Sequence, residues 1–183
     1  MPYHHFKGSN LSRSETIQLI VLKEILDSKV PNEKRENSIE WELKHSSSCI
    51  QIARILAEKR SLGKEKVEII AALHDISAIR SGSYEKHGQK GSEIAKNILK
   101  KTNEFSNDEI EEICEAIALH SEKQIYSNKP YAELIKDADV LDCSLYEGII
   151  YDDKKPEIRK AYFERINKVR KELGLPIKAD WND

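Results

Sequence analysis

The spacing of apolar residues constrains the fold of this chain more than any other feature of its sequence. Along nearly all of the 183 residues, apolar side chains recur at intervals of three and four, and no stretch shows sustained alternation with a period of two. The first spacing is typical of amphipathic helices, whereas the second would indicate half-buried strands. The sequence therefore predicts an all-α fold without a β-sheet.

Glycine and proline residues divide the chain into about six to seven predicted helices. The predicted helices cover approximately residues 13–29, 38–60, 64–75, 90–101, 109–121, 131–147 and 156–174. The segment 76–88, which contains Gly82 and Gly88, is predicted to be a loop. We expect a single compact domain over residues 1–183, because this length suffices for one core. That core is expected at about residues 38–147, with the first and last helices packed on it.

Charge and cysteine content narrow the classes of function. The net charge is −2, with 30 basic and 32 acidic side chains, and this balance argues against a general nucleic-acid binder, which usually has a basic surplus. Cys49, Cys114 and Cys143 lie far apart, a pattern typical of reduced core thiols in a cytosolic protein. The sequence shows neither a signal peptide nor an apolar run of the roughly 20 residues that span a bilayer. We therefore expect a cytoplasmic protein that does not bind membranes.

Six ionisable residues lie within apolar helical segments or at their ends. They are His45, His74, Asp75, His87, His120 and Asp139. Because burial of an unpaired charge is costly, this placement predicts one convergent polar centre in a helical core. Imidazole and carboxylate groups together suit divalent Mn, Fe, Co, Ni or Zn, with Mg as a further candidate. The absence of cysteine from the set favours a catalytic metal site with open positions over a structural zinc site.

Taken one at a time, these residues also have simpler interpretations. His120 at a helix end can interact with the helix dipole and the last carbonyls. His87 can cap a helix or lie in a polar loop. Asp139 can be a surface charge, as can its neighbours Asp137 and Asp142. The joint order His, His-Asp, His, His, Asp is what favours a shared site.

Four stretches of the chain resemble the HD superfamily of metal-dependent phosphohydrolases, whose defining pattern is H…HD…D. The stretches are AALHDIS, KHGQKGSEIAKNIL, AIALH and KDADVLD. The first-metal ligands implied by the resemblance are His45, His74, Asp75 and Asp139. His87 and His120 match the two additional histidines of members with two metals. Asp75 would then bridge the metals, which makes it the catalytic candidate of the set.

The resemblance implies hydrolysis of a small phosphorylated substrate, with nucleotides as the first class to consider. A bound divalent ion lowers the pKa of its water from about 15.7 to about 7 and polarises the phosphoryl oxygen. Phosphoryl transfer also needs charge neutralisation. The candidate substrate contacts near the metal ligands are Lys44, Arg80, Lys86 and Lys90. Solvated surface charge is the simpler interpretation of each.

Two other functions remain open at the level of sequence. A di-metal oxygenase would use the same order of ligands with redox-active iron and would consume oxygen. A non-catalytic helical module would keep one metal for structure, although a closed structural site needs only about four ligands. The apolar stripe of the last helix, which includes Tyr162 and Ile166, leaves a homo-oligomer open.

Overall fold

The structure, a computed structural model, describes residues 6–8, 10–146 and 154–180. In these residues it contains eight α-helices, one short 3-10 helix at Asn32–Lys34 and no strand, which confirms the all-α prediction. The helices are α1 (Arg13–Leu26), α2 (Ile39–Lys59), α3 (Lys64–Leu73), α4 (Ile76–Ser81), α5 (His87–Thr102), α6 (Asn107–Leu119), α7 (Pro130–Ser144) and α8 (Pro156–Glu172). Over the same residues, no helix is both long enough and apolar enough to cross a bilayer.

Serine caps and proline residues determine where several helices begin. Ser12 caps α1 and Ser106 caps α6, and in both helices a glutamate three residues later returns a hydrogen bond to the cap backbone. The predicted start of α6 near residue 109 is two residues late. The helix begins at Asn107, because the hydroxyl of Ser106 accepts from the amide of Glu109 and caps it. Pro130 and Pro156 occupy the first turns of α7 and α8, where their missing N–H group costs nothing.

Helix α3 lies at the centre of the fold. It packs against α1, α2, α6 and α7. Nearly every residue of its second half is buried, including Ile69, Ile70 and Leu73. A helix that is apolar all round is stable only when it is enclosed by other elements. The polar residues that follow α3 are therefore delivered into the interior of the protein.

The predicted loop at residues 76–88 is wrong over most of its length. The structure forms α4 at Ile76–Ser81 and begins α5 at His87. Ile76 and Ile79 are buried in α4 and extend the apolar core, and this burial outweighs the turn signals of the segment. Gly82 ends α4 in a left-handed conformation, with φ of 75°, which favours glycine.

The first and last helices pack on the central bundle from different sides. α1 packs on α3, α2 and α4, and α8 packs on α7. The buried apolar residues of α8 are Tyr162, Ile166 and Val169. The predicted sixth helix extended to Glu147. In the structure α7 ends at Ser144, and Glu147 lies outside the described residues.

Candidate metal centre

The structure brings the six ionisable residues together from separate helices. His45 lies in the middle of α2, His74 and Asp75 follow α3, His87 begins α5, His120 follows α6 and Asp139 lies in α7. All are buried except His87, whose side chain keeps 13% of its exposure. These residues are the ones that the sequence pattern selected, and the fold explains their meeting point, because α3 ends in the middle of the bundle.

One part of the centre, which we call the first half-site, consists of His45, His74 and Asp139. The Nε2 atoms of His45 and His74 are 3.1 Å apart, and His45 Nε2 lies 3.6 Å from Asp139 Oδ1. One ligand atom from each of the three residues lies within 4.8 Å of the others. Oδ2 of Asp75 faces this half-site, at 3.3 Å from His74 Nε2 and 3.6 Å from His45 Nε2.

The other part, the second half-site, consists of His87 and His120. Their Nε2 atoms are 3.0 Å apart. The second oxygen of Asp75, Oδ1, lies 3.4 Å from His87 Nε2 and 3.3 Å from His120 Nε2. Asp75 thus directs one carboxylate oxygen at each half-site. This is the arrangement that a carboxylate needs to bridge two ions.

Close packing of α5 against α6 makes the second half-site. A Cβ atom at Gly88 would lie 2.9 Å from the carbonyl oxygen of Ala118 and from Oγ of Ser121. Because glycine has no Cβ, the first turn of α5 can approach the end of α6 this closely. The approach places His87, the residue before Gly88, against His120.

The hydrogen bonds of the four imidazoles leave their Nε2 atoms unprotonated when the rings are neutral. The Nδ1 atoms of His74, His87 and His120 each donate to a backbone carbonyl three residues earlier in the chain, at 2.7 Å. A carbonyl oxygen only accepts, so Nδ1 must carry the proton. Nδ1 of His45 lies 2.5 Å from Oδ2 of Asp142, which fixes its tautomer in the same way.

These residues fit a divalent metal. In each half-site two lone pairs on nitrogen face each other at hydrogen-bonding distance, and only a proton or another cation between them removes their repulsion. Oδ1 of Asp75 is buried and makes no hydrogen bond within the described residues. A buried, unsatisfied carboxylate oxygen calls for a partner such as an ion. Imidazole nitrogen with carboxylate oxygen is a donor set for Mn, Fe, Co, Ni or Zn.

The electrostatics of the centre favour positive charge among its carboxylates. Burial opposes the ionisation of Asp75, but positive charge on His74 and close contact with the other imidazoles outweigh it, so the pKa of Asp75 lies well below its usual range. Burial also opposes a charge on His74, yet Asp75 raises the pKa of that imidazole. Burial dominates at His120 and lowers its pKa to about 4. A metal cation would therefore replace a proton in the first half-site and bind a neutral imidazole at His120.

Two further residues hold the His45 ring. Asp142, one turn after Asp139 in α7, accepts from His45 Nδ1 and is 1% exposed. The ring of Trp41 stacks on the imidazole, with 5.6 Å between centroids and 11° between planes. The interpretation of Asp137, Asp139 and Asp142 as surface charges is wrong, because α7 buries all three carboxylates.

Lys123 is a residue of the centre that sequence reasoning missed. Its Nζ lies 2.6 Å from Asp139 Oδ2, and the residue is 9% exposed. Burial disfavours the ammonium, but the carboxylate of Asp139 outweighs burial and raises the pKa of Lys123. The sequence places Lys123 in the polar connection between α6 and α7, and its one signal there is the position three residues after His120.

The structure places the four predicted substrate contacts at the periphery. Arg80 bonds Glu24 of α1, with Nε 3.1 Å from Oε2, and Lys90 lies 3.7 Å from Glu85. The Nζ of Lys44 lies over the ring of Tyr146, and Lys86 precedes α5 in a left-handed conformation. Across the described residues, no hydrogen bond or ion pair joins these four side chains to the six candidate ligands. Their contact with a substrate stays a prediction.

Comparison with known proteins agrees with this geometry. The family model of the HD domain matches residues 43–143, which is more than half of the chain. The chain therefore belongs to the HD domain family, and the resemblance inferred from the sequence is confirmed. A similar solved structure is that of a predicted HD superfamily hydrolase from an uncultured Thermotogales bacterium, at 20% identity and a TM-score of 0.54. The similarity covers 86% of this chain and 87% of that one. No curated protein matches the chain.

Proposed function

We propose that this protein is a metal-dependent phosphohydrolase that acts on a small phosphorylated molecule, with nucleotides as the first substrates to test. The observation that carries the proposal is the position of Asp75, whose two carboxylate oxygens face two separate pairs of imidazole nitrogens. The name of the similar Thermotogales protein, a predicted HD superfamily hydrolase, supports hydrolysis as the class of reaction.

The proposed ligand roles follow the two half-sites. His45, His74 and Asp139 would hold a first divalent ion, and His87 with His120 would hold a second. Asp75 would bridge the two ions. Ions bound here would supply Lewis acidity, which lowers the pKa of a bound water and polarises a phosphoryl oxygen.

The residues of the chain supply orientation and charge. Bonds to the Nδ1 atoms hold each imidazole with Nε2 directed at the centre. The surrounding core excludes bulk water from His74 and His120, which strengthens every charge interaction in the centre. Lys44, Arg80, Lys86 and Lys90 are proposed to attract the phosphate from the periphery, and phosphoryl transfer depends mainly on such positioning and neutralisation.

Phosphate release from a panel of esters tests the proposal. The chain is purified without a metal-affinity tag, freed of metal, and reloaded separately with Mn²⁺, Co²⁺, Mg²⁺ or Fe²⁺. We expect release of phosphate from at least one nucleotide or sugar phosphate with a redox-inert ion, and loss of that activity in Asp75→Asn. The control Asp108→Asn changes an exposed carboxylate of α6 and should retain activity.

Two results would contradict the proposal. Consumption of oxygen that requires Fe²⁺, without release of phosphate, would assign the centre to an oxygenase. Tight binding of a single ion, with no turnover of any ester under any metal, would assign it a structural role.

A further inference from the structure

We propose that Lys123 binds the phosphoryl group of the substrate at the edge of the metal centre, and that α8 holds it in place. The inference rests on the proposed phosphohydrolase function and adds a residue outside the H…HD…D pattern. Lys123 lies in the connection between α6 and α7, and neither the ligand order of the centre nor the four peripheral basic residues includes it.

The exposure of the side chains shows where a ligand can enter. Asp75 and Asp139 each keep 7% of their side-chain exposure, and His87 keeps 13%. Lys123 keeps 11%, whereas His120 keeps none. The side chains of the centre that keep some exposure therefore include Lys123, whose ammonium lies 2.6 Å from Oδ2 of the partly accessible Asp139.

The charges of the centre favour an anion beside Lys123 once metal is bound. Asp75, Asp139 and Asp142 are the buried carboxylates that contact the candidate metal ligands or belong to them, and Lys123 forms an ion pair with Asp139. Two divalent ions would more than neutralise these carboxylates, so that the ammonium adds to a surplus of positive charge. An ammonium has three donors, and its ion pair with Asp139 does not exhaust them. Lysine binds phosphate as a compact point charge in many sites.

Helix α8 holds both ends of Lys123. The Nε of Arg165 donates to the carbonyl oxygen of Lys123 at 2.8 Å, and its Nη1 donates to Asp137 Oδ1 at 2.6 Å. The ring of Tyr162 lies beneath the ammonium, with Nζ 5.9 Å from its centroid. Arg165 is fully buried. α8 lies beyond the residues matched by the family model, so this support is an addition to the HD domain core.

The burial of Arg165 is unusual enough to indicate a constraint. A guanidinium that leaves water is costly unless carboxylates and hydrogen bonds compensate for it. Asp137 and Glu133 of α7 supply that compensation, at 2.6 and 2.9 Å from Arg165 Nη1. Asp137 also pairs at 2.7 Å with Arg60, the residue that follows α2, so the ion pairs join the end of α2 to α7 and α8. Arg165 acts through Lys123 and is a positioning residue.

Isothermal titration calorimetry of the Mn²⁺-loaded protein with inorganic phosphate tests the role of Lys123. Lys123→Met should bind phosphate about 10- to 100-fold more weakly, the effect of losing a charged hydrogen bond. Mn²⁺ content per chain should not change. Lys129→Met removes an exposed lysine from the same connection and should bind phosphate as the wild type does. Lys123→Arg keeps the charge and should stay within a few-fold of the wild type.

A double-mutant cycle tests the positioning role. Arg165→Lys should weaken phosphate binding while Mn²⁺ content is kept, and combination with Lys123→Met should cause no further loss, because both changes act through one ammonium. Additive losses would show that Arg165 acts on the fold alone and would overturn its role. Lys123→Gln, which keeps a donor to Asp139, replaces Lys123→Met in every comparison if the latter does not fold.

The outcomes separate this inference from the proposed function. Phosphate affinity of Lys123→Met within about twofold of the wild type, or loss of Mn²⁺ in parallel with phosphate, would overturn the subsite, since Lys123 would then serve only Asp139. Hydrolysis of esters with unchanged phosphate affinity would keep the hydrolase and remove the subsite. Phosphate binding that depends on Lys123, without turnover of any ester, would keep the subsite and remove the hydrolase.

Discussion

The two half-sites differ in what holds their imidazoles. In the first half-site, His45 is fixed by the carboxylate of Asp142 and the ring of Trp41, and its neighbour Asp139 is paired with Lys123. In the second, His87 and His120 are fixed by backbone carbonyls, and their meeting depends on the close approach of two helices at Gly88. His74 is also fixed by a backbone carbonyl, so the first half-site depends on side-chain charge at His45 and Asp139, whereas the second depends on backbone packing throughout. Changes to charge and changes to packing should affect different ions.

The largest effect is expected for His74→Ala, because His74 is a ligand of the first half-site and its ring also lies next to Asp75 and to His120 of the second. One group of potential ligands joins it to His45 and Asp139, and another joins it to Asp75 and His120. We expect the variant to retain no metal after dialysis, measured by elemental analysis. The control is Lys44→Ala, an exposed position next to His45. Retention of one ion by His74→Ala would show that the half-sites do not share this residue.

Asp142→Asn should act on the first half-site alone. The amide cannot hold the proton of His45 Nδ1 as a carboxylate does, and loss of such a partner weakens metal binding by about 10- to 100-fold. Competition with a chromophoric chelator should show one ion weakened to this degree and the other unchanged. If both ions bound more weakly by the same factor, the first half-site would not depend on side-chain charge more than the second does.

Gly88→Ala should act on the second half-site alone. The added methyl group would meet Ala118 and Ser121 at 2.9 Å, so α5 must move away from α6. Overpacking of this kind costs about 1–3 kcal/mol, and the second ion should bind about tenfold more weakly. Thermal unfolding and metal titration measure the two effects, with the exposed neighbour change Gln89→Ala as the control. Unchanged binding of both ions would show that the helix approach is not what forms this half.

The smallest effect is expected at Glu42, a buried residue of α2 that interacts electrostatically with Asp75. Its carboxylate is 1% exposed, accepts from the Tyr84 hydroxyl and faces Arg35, while the Tyr84 carbonyl orients His87. Burial, with the charge of Asp75 second, raises the pKa of Glu42 to about 7 from 4.5. The folded state therefore binds the carboxyl proton of Glu42 more tightly than the unfolded state does. The stability that this proton contributes is full below pH 4.5 and is lost as the pH rises through about 7.

Glu42→Gln should remove this pH-dependent loss of stability, because glutamine stays neutral. We expect the free energy of unfolding of the variant to exceed that of the wild type by on the order of 1 kcal/mol at pH 8, and to show no such gain at pH 4. Urea unfolding of the metal-free proteins at both values measures the difference. A variant that is less stable at pH 8 would show that the ion pair with Arg35 outweighs the burial of the carboxylate.

Much of this arrangement could be predicted from the sequence. The helical spacing of apolar residues gave the all-α fold, and ionisable residues at the ends of apolar segments gave the six candidate ligands. Lys123 and Asp142 could not be found in this way. Lys123 lies in a polar connection, and Asp142 lies among apolar residues with no local sign of its partner; the burial of both results from contacts between helices that are distant in the chain, α2 with α7 and α7 with α8. Turn residues such as Gly82 also led to the prediction of a loop where α4 forms, because the burial of the isoleucines of α4 in the core cannot be read from the local sequence.

The metal content of the wild type and of His87→Ala tests the central claim most directly. Both proteins are purified without a metal-affinity tag, loaded with Mn²⁺, dialysed and measured by elemental analysis. We predict two ions per chain in the wild type and one in His87→Ala, because that change removes a ligand of the second half-site and leaves His45, His74 and Asp139 intact. Equal metal content in the two proteins would contradict a centre built from two half-sites around Asp75.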